Sequence, residues 1–268
     1  MTLQAREELM GHIRLGTLPR SRKWREVVDL IATDASVEEI AEAAADASES
    51  DLARASRDPR FQFVSDLLVR LPLLARAPGF EDALADLGIA TSELGSVTGL
   101  LAGLDRAVDG RSFDLQSSSD AGELAKAALL ESLSVQLHDR LPSLFEPTPQ
   151  EIRQALASFA AGDAFARLAR DFFARLTYRS LDYYLSRELA NHTGEDRRFS
   201  TDAQRVAFQQ ALAQHTFEVS RIVEEYAGGW YGKTVWQKQA LDRDAIDKFT
   251  AYAFKKMRSE FGRRRAVA

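Results

Sequence analysis

The sequence contains no cysteine among its 268 residues, only 7 prolines and 3 methionines, and no long apolar run. The absence of cysteine excludes disulfide scaffolds and cysteine-ligated zinc or iron–sulfur sites. No stretch approaches the roughly 18 apolar residues that a membrane span requires, and the first residues are charged, unlike those of a signal peptide. These absences predict a cytoplasmic protein that has no contact with a membrane.

The residues that are present predict a globular, all-α protein. A content of 45% hydrophobic and 28% charged residues is typical of a chain that folds around an apolar core. Apolar residues recur every three or four positions, which favours helices over strands. The predicted fold is an irregular multi-helix bundle of about ten helices. The predicted helices are Leu3 to Leu15, Arg22 to Ile31, Val37 to Ser56, Arg60 to Ala75, Glu81 to Leu87, Ser92 to Val108, Ala121 to Leu141, Gln150 to Ala160, Asp163 to Ala190, Thr201 to Ala227 and Arg243 to Phe261.

One helix start is marked with particular clarity. Ser36 is followed three residues later by Glu39, which is the pattern of a capping box.

The stretch Glu146 to Pro149 (EPTP) is the best candidate for a boundary within the chain, because its two prolines cannot continue a helix. Before Pro149 there are 15 basic and 25 acidic residues, and from Pro149 onward 20 basic and 15 acidic ones, which gives net charges of −10 and +5. Two interpretations stay open. One is an acidic helical region, 1–146, followed by a second helical region, 150–268, with a basic end. The other is one continuous domain.

The apolar pattern of the second region, 150–268, predicts a long antiparallel helical hairpin. Its second arm carries an apolar stripe whose members follow one another at intervals of four and three residues: Phe208, Leu212, His215, Val219, Ile222 and Tyr226. The first arm supplies a matching stripe: Phe165, Leu168, Phe172, Leu176 and Tyr183. We expect the arms to pack together, with His215 in their interface and a helix stop at Gly228-Gly229.

Ala227 to Thr234 satisfies a relaxed Walker A pattern, which we reject as a nucleotide site. A phosphate-binding loop needs a strand before it and a helix after it, whereas here a predicted helix comes first. An aromatic loop after the helix is the preferred interpretation, so no cofactor is predicted.

The four histidines do not combine into a predicted metal site. Glu188 and His192 lie one helical turn apart, and His215 and Glu218 lie three residues apart, but the hairpin separates the two pairs by about 22 Å at 1.5 Å per residue. His215 is interpreted as a core imidazole with a hydrogen-bond partner, and His192 as a residue at a helix C-terminus.

The C-terminal quarter combines basic and aromatic residues, a composition that suits phosphate neutralisation and base stacking. The candidate contact residues for nucleic acid or a protein partner are Trp236, Lys248, Tyr252, Lys255, Lys256, Arg258, Arg263, Arg264 and Arg265. The alternative interpretation is that the tryptophans belong to the core and the basic end only aids solubility.

Several segments of the second region resemble a group of uncharacterised bacterial proteins associated with mobile-element and phage-defence loci. The resemblance covers roughly residues 160 to 265, with a weaker similarity from Asp58 to Gly88. The segments that carry it are Leu168 to Leu176, Leu181 to His192, Arg221 to Lys233 and Lys255 to Phe261. It implies a protein that works with neighbouring subunits.

Three function hypotheses follow from the sequence. The leading one is a non-catalytic accessory or adaptor subunit of a bacterial multi-protein assembly in antiviral defence, with other protein subunits as partners. The second is a nucleic-acid-binding module that uses the basic C-terminal region. The third is an enzyme whose site is assembled from residues distant in sequence, but no catalytic residue or small-molecule substrate can be named.

Overall fold

The computed structural model of the protein describes residues 18–114, 119–141, 146–238 and 241–265. These residues form α-helices, connecting turns, a 3-10 helix (Thr91–Gly95) and an isolated β-bridge between Thr193 and Phe199. The helices are α1 (Arg22–Ala32), α2 (Val37–Ala47), α3 (Glu49–Ala55), α4 (Pro59–Arg76), α5 (Phe80–Asp86), α6 (Val97–Asp114), α7 (Asp120–His138), α8 (Pro149–Ser158), α9 (Gly162–Asn191), α10 (Asp202–Val219), α11 (Arg221–Lys238) and α12 (Arg243–Arg265). The all-α prediction is confirmed. The predicted helix Leu3 to Leu15 lies outside the described residues.

Side-chain caps fix where helices begin. The Ser36 hydroxyl accepts a hydrogen bond from the Glu39 backbone N–H at 3.2 Å, and the Glu39 carboxylate accepts one from the Ser36 N–H at 3.0 Å. The predicted capping box is therefore confirmed. Thr148 and Glu151 form a second box at the start of α8, and the hydrogen bonds from Thr148 lower the pKa of Glu151.

The predicted helix Val37 to Ser56 is divided into α2 and α3 at Ser48. The buried Ser48 hydroxyl donates to the Ala44 carbonyl at 2.6 Å, and the Ser48 backbone N–H donates to the same oxygen at 2.9 Å. A serine side chain that bonds to the helix backbone competes with the regular ladder. The short helix α3 follows as a separate element.

The antiparallel hairpin is present, with α9 as its first arm and α10 followed by α11 as its second. Near one end, the Gln209 side chain donates to Asp182 at 2.8 Å, and further along Arg170 pairs with Glu224 at 2.7 Å. The second arm is interrupted at Ser220, whose hydroxyl donates to the Phe217 carbonyl at 2.7 Å. The prediction of one unbroken helix from Thr201 to Ala227 is therefore wrong at this position.

The predicted helix stop at Gly228-Gly229 is also wrong, because α11 continues to Lys238. A Cβ atom built on Gly228 would lie 2.9 Å from the Gly162 carbonyl oxygen, so the backbones of α9 and α11 approach closely there. Beyond the glycines, the ring of Tyr231 is buried and stacks on Phe165 with centroids 3.9 Å apart. Tertiary packing thus keeps this segment helical despite its weak helix propensity.

Buried side chains from both sides of the EPTP stretch belong to one apolar core. The long helix α9 packs against α7 as well as α10 and α11, and α12 packs against α2 and α4. No helix in the described part of the chain is long and apolar enough to cross a membrane.

Candidate docking surfaces on the C-terminal helices

The last helix, α12, buries one side and exposes a basic side. Ile246, Phe249, Ala253, Met257 and Phe261 are buried in the core. Lys248 and Lys255 are exposed on the opposite side, as the helical spacing predicts.

Most of the predicted basic contact residues are already neutralised within the protein. Lys248 pairs with Asp244 at 2.6 Å, and this hydrogen bond raises the pKa of Lys248. Arg258 pairs with Glu49 and lies 3.6 Å from Asp46. Each of these pairs removes one positive charge that a phosphate could otherwise use.

The end of α12 shows the same compensation. Arg263 lies 3.4 Å from Glu260, and Arg264 lies 3.3 Å from both Glu260 and Glu218. The side chain of Arg265 lies outside the described part of the structure. The basic end therefore carries much less uncompensated charge than its sequence indicates.

Lys255 and Lys256 differ from their neighbours, because no acidic group lies within ion-pair distance of either one in the described residues. The Lys256 ammonium lies 5.3 Å from the centroid of the Tyr252 ring, which is 44% exposed. Tyr252 in turn packs edge-on against Tyr226, with centroids 4.8 Å apart. The side chain of Trp236 is not part of the described structure. Of the predicted basic contact residues, Lys256 thus lies beside an exposed aromatic ring, and Lys255 is a second uncompensated cation on the same helix.

The Walker-like segment is part of α11 and does not form a loop. All residues from Ala227 to Thr234 are helical, and Lys233 is exposed on that helix. Within a helix the backbone N–H groups point along the axis to other carbonyls, so they cannot converge on phosphates.

His215 is buried, but it does not occupy the position that we expected. Its ring lies 5.6 Å from Phe261 of α12, and its charged neighbours are Glu38 of α2, Arg264 of α12 and Glu218. It therefore faces α2 and α12. Its Nε2 atom is buried, and this nitrogen has no hydrogen-bond partner among the described residues. Burial is the main reason why the pKa of His215 is lowered.

In the other carboxylate–histidine pair, Glu188 belongs to α9 and His192 lies just beyond its end. His192 is the residue that follows the last helical residue, as expected, and its backbone N–H donates to the Glu188 carbonyl at 3.1 Å. Among the described residues there is no group of three or more histidines and carboxylates that could hold a metal ion.

Sequence reasoning missed the most distinctive surface of the hairpin, which is the outward side of α10. We call it the α10 outer face. Its members are exposed and uncharged: Ala203, Val206, Ala207, Gln210, Ala211, Gln214 and Phe217. They span about 21 Å at 1.5 Å per residue. The signal was in the sequence, because no charged residue occurs between Val206 and Phe217.

Two large apolar side chains lie on this face, and Phe217 is at its C-terminal end. Val206 is 43% exposed and Phe217 is 39% exposed, and the Arg170 guanidinium lies 4.2 Å from the centroid of the Phe217 ring. The nearest charged residues on α10 are paired within the protein: Arg205 pairs with Asp202, and Glu218 pairs with Arg264 of α12. The α10 outer face is thus a neutral strip between compensated charges.

Comparisons with family models, with curated proteins and with solved structures find no match for this chain.

Proposed function

We propose that the protein is a non-catalytic adaptor subunit of a bacterial multi-protein assembly, and that the α10 outer face binds a helix of another subunit. The exposed, uncharged strip of α10 is the observation that carries this proposal. The cores of protein–protein interfaces are depleted of charged residues and enriched in aromatic ones. Alanine side chains allow a second helix to approach closely, and Phe217 offers an aromatic anchor at one end.

Co-purification from the native host, with the neighbouring genes expressed, tests the adaptor role. The full chain would carry an affinity tag, and light scattering would give the mass of the recovered species. We expect a second protein to co-elute with the wild type and to be lost with Gln210→Arg, because an unpaired charge at an interface centre costs several kcal/mol.

A matched variant controls for nonspecific effects of the added charge. Gln150→Arg makes the same substitution at an exposed position of α8, away from the α10 outer face, and should retain the partner. Recovery of only a monomer, or of copies of this chain alone, would overturn the adaptor proposal.

The proposed role of the protein in antiviral defence depends on the resemblance of the second region to proteins of phage-defence loci. The corresponding test is phage plating on cells that carry the whole locus. Deletion of this gene and Gln210→Arg should both raise the plating efficiency, whereas Gln150→Arg should not. Equal plating with and without the gene would refute a defence role.

Nucleic-acid binding is our second candidate, and it is favoured by uncompensated Lys255 and by uncompensated Lys256 beside the exposed ring of Tyr252. If the two lysines neutralise two phosphates, log affinity should fall with log salt concentration with a slope of about 1.5. Fluorescence anisotropy with single- and double-stranded oligonucleotides would measure this slope for the wild type and for Lys255→Glu/Lys256→Glu. Binding that is absent at low salt, or unchanged by the charge reversal, would eliminate this candidate.

A further inference from the structure

A groove with a volume of about 440 Å³ lies between α3, α9 and α12, and we call it the α3 groove. Its apolar lining includes Leu52 of α3, Leu181 of α9, and Phe254, Met257 and Phe261 of α12. Small-molecule sites are typically clefts of about 300–1,000 Å³ with apolar walls. The α3 groove falls within this range, and it is separate from the α10 outer face.

The hydroxyl groups on the floor of the groove already donate their protons within the protein. Ser180 donates to the Leu176 carbonyl at 2.8 Å, Thr177 donates to the Met257 sulfur at 3.6 Å, and Ser48 donates to the Ala44 carbonyl. These hydroxyls therefore offer only acceptor lone pairs to a ligand, and the rest of the floor is apolar.

The rim of the groove is positively charged. Arg57 at the end of α3 and Lys255 on α12 are both exposed and line the groove. Neither has an acidic group within ion-pair distance in the part of the chain that is described. The third basic residue, Arg258, is compensated by Glu49. Two uncompensated cations above an apolar floor attract an anionic head group.

We propose that the α3 groove binds a single-chain amphiphile, with its alkyl chain on the apolar floor and its anionic head group at Arg57 and Lys255. The apolar floor matches the alkyl chain, and the two uncompensated cations at the rim match the anionic head group.

A smaller cavity of about 240 Å³ is also lined by residues of α3. Leu52, Ser48 and Ser180 line both cavities. The helix α3 is lightly anchored, because Ala55 is its only buried residue in the structure described. The Tyr184 hydroxyl holds it to α9 by donating to Asp51 at 3.0 Å. Binding should strengthen with chain length, because a longer alkyl chain buries more apolar surface.

Isothermal titration calorimetry with the full chain tests this proposal, with three probes that share a twelve-carbon chain and are used below their micelle concentrations. The probes are dodecanoate, dodecyltrimethylammonium and dodecyl maltoside. We expect saturable, one-to-one binding of dodecanoate, with at least about tenfold weaker binding of the cationic and neutral probes, because only the anionic head group is attracted to Arg57 and Lys255. Octanoate should bind more weakly than dodecanoate.

Two pairs of variants locate the site. Leu52→Trp fills the groove and should weaken dodecanoate binding at least about tenfold, whereas Ser50→Trp, on the exposed side of α3, should not. Lys255→Glu should weaken it about fivefold or more, whereas Lys256→Glu should not, because Lys256 does not line the groove. Lys255 is exposed, so its replacement tests the site even where Leu52→Trp disturbs folding.

Three results would overturn the proposal. They are the absence of saturable dodecanoate binding, equal affinity for the three head groups, and affinity unchanged by both Leu52→Trp and Lys255→Glu.

Discussion

At the residue scale, Leu212 tests the packing of the buried side of α10. Its side chain is fully buried, as the apolar stripe predicts. Leu212→Ala should lower the free energy of unfolding by about 2–5 kcal/mol, because truncation removes buried methyl groups and leaves a cavity. Urea denaturation followed by circular dichroism would measure the change. Gln214→Ala, on the exposed side, should stay within about 0.5 kcal/mol of the wild type, and a similar effect of the two variants would contradict the packing.

His215 gives a second prediction, because burial lowers its pKa in the folded protein. The unfolded chain then binds a proton at a higher pH than the folded chain does. Stability should therefore be fully present above about pH 6.5, the ordinary value for histidine, and should fall as the pH drops through the lower folded value.

His215→Phe tests this dependence. The variant should show a weaker loss of stability between about pH 7 and pH 5, as measured by urea denaturation at a series of pH values. Leu212→Ala should be less stable throughout but should keep the wild-type pH slope. An unchanged slope in His215→Phe would show that other groups cause the acid sensitivity.

At the element scale, two adjacent glycines of α11 should respond in opposite ways to alanine. A Cβ atom on Gly228 would meet the Gly162 carbonyl oxygen, whereas one on Gly229 would meet nothing within 4 Å. Gly228→Ala should destabilise the protein by about 1–3 kcal/mol through overpacking. Gly229→Ala should stabilise it by about 0.5–1 kcal/mol, because alanine is the better helix former.

Thermal or urea denaturation of both variants checks this pair. The shared chemistry of the substitution makes each variant the control for the other. An increase in the free energy of unfolding with Gly228→Ala would show that α9 and α11 lie further apart than described.

At the scale of the whole molecule, the opposite charges of the two chain halves are engaged with each other. Arg258 of α12 pairs with Glu49 of α3, Arg153 of α8 lies 3.3 Å from Glu81 of α5, and Arg179 of α9 pairs with Glu131 of α7. The split in charge therefore does not require two external partners. It also supplies long-range attraction between segments that are distant in sequence.

Because the halves share one core, they should unfold together. Urea denaturation should give a single transition, with coincident midpoints by circular dichroism and by tryptophan fluorescence. The buried Trp24 of α1 packs against Tyr184 of α9, with centroids 4.8 Å apart, so its fluorescence reports on contact across the EPTP stretch. Two separated transitions would indicate domains that fold independently.

The sequence by itself determined the features that depend on neighbours along the chain. The capping box of Ser36 and Glu39 places a helix start, because both hydrogen bonds join residues three apart. The spacing of Phe208, Leu212 and Val219 places one buried side of a helix, because helical periodicity brings them together.

Only the tertiary structure decided the features that depend on distant residues. Gly228 remains helical because α9 approaches it closely, although glycine pairs usually end helices. Arg258 and Arg264 of α12 are compensated across helices, because Asp46, Glu49 and Glu218 belong to α2, α3 and α10. The α3 groove likewise exists only where three helices meet. Local spacing carries no information on which distant groups will pair, because those contacts depend on how the whole chain packs.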